Sequence, residues 1–557
     1  MQATPKTDRA RWQEPLACVA IFLLTFPFIY FLSKNGFDPH HTGLMYKGAL
    51  DVANGKILFL ETFTQYGALT TYIQALFLLI FGKRVTSILL ATALFYAFDF
   101  ILLYRISRRF LSRTLSLVGT GITLLLAPFY FEVWFFHPWS SVFALTFLML
   151  ALLFLLLTFE KSGRITWAFA ALAGLSAALA FWCRQPVGLV TVLGGVLCIG
   201  FLAIFQKSGR KQNLLLLLFF LAGVLAGVLL LLVPILLTGA FADFVRQSIG
   251  GMFSFAADVS HADTDGAGGL FSHLFYSLFS SPFYNAYHIW ADPVFTLLPL
   301  VALFIALGVA IRIIIAAKRQ EEIAARDILL LLYGVFTVAN WHQYYPVPCY
   351  RHWFWGAFLC VPAVLLLLRW GIQALAKFKH FAALAKPRLA CLALTLSLLV
   401  IFGGSVGLRV INGAQKSANA LHYGEFSHPT YEHLDGLYLN EKLATHYTQL
   451  FDAVAALEER FPDTNIINTT ENGIYAVFGE NFCPLFNNSG DYFYKEYPAL
   501  LSAYIESARP IVIGPEAPSE DYVLYLEIAG DGGDEFGHLH KMPARIYLPA
   551  ELAAQLG

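Results

Sequence analysis

Tyr66-Gly67-Ala68-Leu69-Thr70-Thr71-Tyr72-Ile73-Gln74-Ala75-Leu76-Phe77-Leu78-Leu79-Ile80-Phe81-Gly82 decides the fold, because whether it crosses a membrane sets the side on which every later loop lies. The segment is short and is interrupted by Thr70, Thr71 and Gln74, whereas a spanning helix needs about 20 mostly apolar residues. Apolar stretches of adequate length lie near 16–33, 85–104, 114–130, 141–158, 165–182, 189–205, 213–238, 293–316, 328–341, 352–369 and 388–408. If 66–82 does not cross, the loops between them alternate in charge. One set, with the N-terminus, then carries Lys6, Arg9, Arg11, Arg105, Arg108, Arg109, Arg113, Lys161, Arg164, Lys207, Arg210, Lys211 and the basic residues of 312–326 and 369–388. Excess Lys and Arg mark the cytoplasmic side. The sequence therefore predicts eleven spans, a cytoplasmic N-terminus, and 66–82 as a juxtamembrane or re-entrant helix within a first outer loop, 34–84.

Composition agrees with a multi-pass protein of the cell membrane. Of 557 residues 58% are hydrophobic and 13% charged, with mean hydropathy +0.62, against about 25% charged in soluble domains. The net charge of +0 conceals a basic part, 1–408, and an acidic part, 409–557. The second part reads as a soluble α/β domain on the outer face, periplasmic if the cell is Gram-negative. Glu441–Arg460 has the spacing of an amphipathic helix, short β-rich runs occupy 465–468, 510–513 and Tyr522–Ile528, and a second helix is expected near 499–507. The seven cysteines show neither a disulfide framework nor metal-type spacing. The N-terminal apolar run lacks a small-residue cleavage site and reads as a retained helix.

The polar residues that are costly at a membrane edge collect on the predicted outer side. The first loop contributes Asp38, His40 and His41 in Phe37-Asp38-Pro39-His40-His41-Thr42-Gly43, and Glu61 in Glu61-Thr62-Phe63-Thr64-Gln65-Tyr66-Gly67. Later turns add Glu132 and His137, Arg184-Gln185-Pro186, Asp258/His261/Asp263/Asp265, and His342, Gln343, Arg351 and His352 in the turn 341–352. Asp38 offers a carboxylate able to accept a proton from a hydroxyl nucleophile, or alternatively an Asp that starts a turn before Pro39. Arg184 and Arg351 stand at helix ends, where a guanidinium makes bidentate bonds to phosphate or snorkels to lipid headgroups. The Asp258–Asp265 group reads as a solvated loop. No Walker-type loop and no Gly-x-Gly-x-x-Gly opening a helix is present, and nothing points to nucleic acid. An activated substrate would then be one that membrane helices hold, such as a lipid-linked phosphate.

These residues carry a resemblance. Asp38, Gly43, Tyr46-Lys47, Asn54-Gly55-Lys56 and Phe63-Thr64-Gln65-Tyr66-Gly67-Ala68-Leu69 resemble, in order, the first outer loop of the GT-C glycosyltransferases. That superfamily of integral membrane enzymes includes protein O-mannosyltransferases and lipid A aminoarabinose transferases. Arg184-Gln185-Pro186-Val187-Gly188 is similar to a short Arg/Lys-Gln-x-x-Gly turn of its bacterial members. The chain departs from the pattern at His137-Pro138, where several members carry a second Asp before Pro, and at Ala68, where Pro is usual. The resemblance implies inverting transfer of a sugar from a polyprenyl-phosphate carrier to a hydroxyl of a glycan, lipid or protein acceptor at the outer face. It implies Asp38 as general base, with Glu61 or Glu132 as the second acid. Arg184, Arg351, His342 and His352 would hold the donor phosphate. If a divalent metal takes part, its candidate ligands are His40, His41 and His137. A lipid-linked glycan flippase or transporter and a glycan polymerase are the alternatives.

Overall fold

The computed structural model describes residues 8–36, 38–126, 136–251, 253, 293–344, 350–404, 406–407, 411, 422–479, 497–530 and 542–556. Helices dominate the first 403 residues: α1 (Asp8–Ser33), α2 (His41–Ala53), α3 (Ala68–Phe81), α4 (Val85–Ser107), α5 (Arg113–Leu126), α6 (Ser140–Glu160), α7 (Ile165–Cys183), α8 (Gln185–Phe205) and α9 (Arg210–Leu237). Pro293–Lys318, Ala325–Asn340, Tyr350–Ala357, Cys360–Leu375 and Pro387–Leu398 follow. Each of the eleven expected apolar stretches is helical over most of its described length. Seven helices among the described residues are long and apolar enough to cross a membrane. Residues 352–369 are split at 358–359 into two helices, and Lys379–Ala385 is bent by 97° from Pro387–Gly403. α5 is described to Leu126, and the rest of the expected stretch 114–130 lies outside the described residues.

The helix α3 has 14 residues, about 21 Å at 1.5 Å per residue, which is short of a hydrocarbon core of about 30 Å. Both ends of the loop that holds it contact the C-terminal domain. Before the loop, Gly36 N–H donates to the Tyr438 carbonyl and Tyr438 N–H donates to the Lys34 carbonyl, 2.9 and 2.8 Å. After it, Val85 N–H donates to the His433 carbonyl at 2.8 Å and Arg84 pairs with Glu432 at 3.0 Å. Loop 34–84 thus begins and ends against the same C-terminal domain.

The helical bundle is held by close packing. A Cβ at Gly174 of α7 would lie 1.9 Å from the Phe220 carbonyl oxygen of α9, and one at Gly223 would lie 1.9 Å from that of Ala171. Only hydrogen fits there, the small-residue device that lets membrane helices approach backbone to backbone. Leucines such as Leu225 and Leu237 of α9 face outward, 59% and 82% exposed, which suits contact with lipid.

The C-terminal domain holds a four-stranded sheet in the order β3-β4-β6-β5, with β3 (Ile466–Asn468) parallel to β4 (Ile511–Gly514). The strands β5 (Tyr522–Ile528) and β6 (Ala544–Pro549) complete it antiparallel. A short ribbon pairs β1 (Gly424–Glu425) with β2 (Tyr438–Leu439). The amphipathic helix Glu441–Arg460 is present, capped by Asn440 Oδ1, which accepts Leu443 N–H at 2.8 Å, and the second helix spans Tyr497–Ala508. Strand β6 was not expected from the sequence, because Ala544–Pro549 follows a Gly- and Asp-rich turn and has no alternating pattern.

Candidate functional site

Asp38 sits one turn before α2 and is held as a helix-capping acid. Its Oδ1 accepts the backbone N–H groups of His40 and His41, 2.9 and 3.1 Å, and its Oδ2 bonds Nδ1 of His41. Both side chains keep surface, 18% for Asp38 and 25% for His41. The short spacing that forms this pair is the turn preference of Asp-Pro followed by the first helical residues. The turn reading and the catalytic reading are therefore compatible, because the turn is what aims the carboxylate.

From His41 a continuous wall of rings leads to a cation. The His41 ring lies edge-on to Trp139 at 4.8 Å and to His137 at 5.6 Å. Trp139 meets Tyr66 at 5.0 Å, and the Arg184 guanidinium lies over Tyr66 at 5.8 Å while bonding the Ser141 hydroxyl. Residues from the first loop, the turn before α6 and the junction of α7 with α8 are thereby brought together. Gly67 permits the approach, since a Cβ there would lie 2.0 Å from the Trp182 carbonyl oxygen. Gln247 and Ser248, beyond α9, grip the loop by bonding Phe59, Thr64 and Tyr66 backbone groups.

His342 lies within electrostatic reach of Arg184. His342 bonds the Ala339 carbonyl at 2.9 Å. Burial, with smaller contributions from the charges of Arg184 and His352, pushes its imidazole down to about 4 against the opposing pull of that carbonyl. His342 is therefore a neutral hydrogen-bonding group at pH 7. His352 packs on Trp355 at 5.7 Å. Arg351 belongs to the helix Tyr350–Ala357, and its side chain, like Glu132 and the Asp258–Asp265 group, lies outside the described residues.

Two expectations find their residues elsewhere. The exposed Glu61 carboxylate accepts the N–H of Ile57 at 2.6 Å and holds its own turn. His40 packs edge-on against His41 at 4.6 Å, and its Nδ1 faces the carbonyl of Glu471 at 3.2 Å. Among the described residues no three His, Cys, Asp or Glu side chains are grouped so as to hold a metal ion.

One feature of the site was missed. Lys47 and Asp51, 2% and 3% exposed, pair at 2.7 Å within α2. Lys47 also donates to the Gly479 carbonyl at 2.9 Å, and Asp51 accepts from the Thr62 hydroxyl at 2.8 Å. Burial pushes the Asp51 carboxyl up, while Lys47 and Thr62 draw it down. The i, i+4 spacing was the available signal, but burial of both partners depends on the soluble domain, which the local sequence does not reveal.

The sequence of residues 67–237 matches the family model described as dolichyl-phosphate-mannose-protein mannosyltransferase. No curated protein sequence matches the chain significantly. Among solved structures, the apo oligosaccharyltransferase of Archaeoglobus fulgidus superposes with a TM-score of 0.52 at 12% identity, covering 91% of this chain and 70% of its own. The same organism's AglB, in complex with an inhibitory peptide and a dolichol-phosphate, gives 0.50 with the same identity and coverage. ArnT from Cupriavidus metallidurans in the apo state gives 0.50 at 14% identity, covering 98% of this chain and 99% of that one. The chain therefore has the fold of the GT-C membrane glycosyltransferases, with a protein-mannosyltransferase-type sequence signature over residues 67–237.

Proposed function

We propose that this protein transfers a glycosyl group from a polyprenyl-phosphate carrier to an acceptor hydroxyl at the outer face of the membrane, with inversion at the anomeric carbon. The observation that carries the reading is the unbroken contact path from the Asp38–His41 pair through Trp139 and Tyr66 to Arg184. A carboxylate–imidazole pair at one end and a guanidinium at the other end of one aromatic wall suit the base and the phosphate contact of a displacement at the anomeric carbon. The acceptor oxygen attacks the anomeric carbon while its proton passes to the Asp38–His41 pair. The bond from that carbon to the phosphate oxygen breaks, and the leaving polyprenyl phosphate is stabilised by Arg184, with Arg351 and the hydrogen-bonding groups of His342 and His352 as further contacts.

The test is transfer from a synthetic polyprenyl-phosphate-linked hexose to hydroxyl acceptors by purified protein in nanodiscs, comparing wild type with Asp38→Asn. Movement of the intact lipid-linked sugar across a sealed vesicle without any glycosidic product would favour the flippase. Sidedness is tested separately by single cysteines. Positions 61, 83 and 430 should label from outside the cell, and 162 and 208 should not. Labelling of 83 from the opposite side to 61 would mean that α3 crosses.

A further inference from the structure

Nothing in the proposed chemistry asks the soluble domain to do more than cover the site. Besides the ties at Lys34, Gly36, Arg84 and Val85, it contacts the residues that directly follow Asp38. Gly473 N–H donates to the Pro39 carbonyl at 3.0 Å, and the Glu471 carbonyl faces His40 Nδ1 at 3.2 Å. A Cβ at Gly43 would lie 2.5 Å from the Gly473 carbonyl carbon, and one at Gly473 would lie 2.7 Å from the Leu44 nitrogen. The two backbones touch with no side chain between them.

The segment that makes these contacts is itself shaped by one side chain. Asn468, fully buried at the end of β3, uses both ends of its amide. Its Oδ1 accepts the Thr470 N–H at 2.9 Å and the Thr470 hydroxyl at 2.7 Å. Its Nδ2 donates to the Asn472 carbonyl at 2.9 Å and the Thr470 carbonyl at 3.2 Å. Asn472 continues the chain of support, accepting Ile474 N–H at 3.1 Å and donating to the Tyr447 hydroxyl at 3.1 Å. A path of directional bonds thus runs from the sheet, through Asn468, to Glu471 and Gly473, and on to Pro39 and His40.

We infer that the Asn468–Gly473 turn of the soluble domain is a positioning element for the Asp38–His41 pair, with Asn468 and Gly473 as positioning residues that touch neither substrate. The inference rests on the proposed role of that pair. Its physical basis is that a reacting group displaced by about 1 Å costs on the order of 10²-fold in rate, and that the backbone beside Asp38 is tied to the turn rather than to the membrane helices alone.

Gly473→Ala and Asn468→Ala test it with two readouts. The first needs no activity: hydrogen exchange of the peptide covering 38–44 should quicken in both variants, and unchanged protection overturns the inference. The second compares a hydroxyl acceptor with a thiol acceptor of the same skeleton, using the lipid-linked hexose above as donor. A thiol depends far less on a base, so hydroxyl transfer should fall about 10–100-fold while thiol transfer falls less than about 3-fold. That ratio is independent of how much protein folds. Parallel loss with both acceptors, or loss with neither, overturns the inference. If Asp38→Asn keeps hydroxyl transfer, the underlying reading fails instead. If Asp38→Asn loses it and both turn variants keep it, this inference alone fails.

Discussion

The two ends of the aromatic wall are built differently. Asp38 is gripped by two backbone N–H groups and a histidine nitrogen, and the chain beside it is tied across the domain seam. Arg184 lies on extended backbone between two helices, against a rotatable hydroxyl and the face of a ring. Backbone N–H groups fix an acceptor atom's position, whereas a ring face sets only a plane over which a guanidinium lies. The contrast suits the two roles proposed above. A proton acceptor must stand at one place, and a phosphate on a mobile lipid has to be met where it arrives.

The largest expected effect breaks the rigid end chemically. Asp38→Asn keeps the shape of the turn and should lower hydroxyl transfer by roughly 10²–10⁴-fold, the range for losing acid–base catalysis, with donor affinity unchanged. Retained transfer would shift the role to Glu132 or Glu61. Next comes the mechanical support of that end. Lys47→Met leaves Asp51 buried without its cation and should destabilise the protein by about 3–5 kcal/mol, seen as a fall in the thermal unfolding midpoint in detergent. Lys47→Met combined with Asp51→Leu should recover much of the loss. A double variant no more stable than the single one would show that the pair is not the source.

The soft end should respond in affinity. Arg184→Gln is expected to weaken binding of the lipid-phosphate donor about tenfold, or ~1.4 kcal/mol, whereas His342→Gln, which replaces a neutral group, should change it little. Equal losses would contradict the neutrality of His342. The smallest effect concerns pH. His342 and His433 are both held down to about 4, in each case chiefly by burial. The unfolded chain therefore binds more protons than the folded one between about pH 6.5 and 4, so stability is full above that window and declines as pH falls through it. Replacing His433, whose Nδ1 meets the Tyr46 hydroxyl at 2.8 Å across the seam, with Gln should flatten the decline in unfolding midpoint below pH 6.5.

Helix positions were legible in the sequence because a bilayer demands long apolar runs, and α4, α6, α7 and α8 follow them. That α3 is a short separate helix was legible from the polar residues Thr70, Thr71 and Gln74 that interrupt it. Asp38 stood out as an acid at a membrane edge. The way it is held did not, because Gly473 and Glu471 have no local pattern that names Pro39 or His40 as partners. Lys47 illustrates the same limit: its helical spacing to Asp51 was in plain view, but its burial is decided by Gly479, far along the chain. Strand β6 was hidden for another reason, since all six of its residues are buried or half-buried and no alternation marks a strand covered on both faces.

The seam joins the first loop to residues that are made late. His40 and the Glu471 carbonyl are 431 positions apart. At about 5–20 residues per second, a ribosome needs roughly 20–90 s to travel between them. During synthesis the helix α2, with its lysine and aspartate, must therefore wait beside the membrane without the cover that later buries it. Until Glu471 and Gly479 have emerged, a nascent chain would display that uncovered helix to proteases and chaperones.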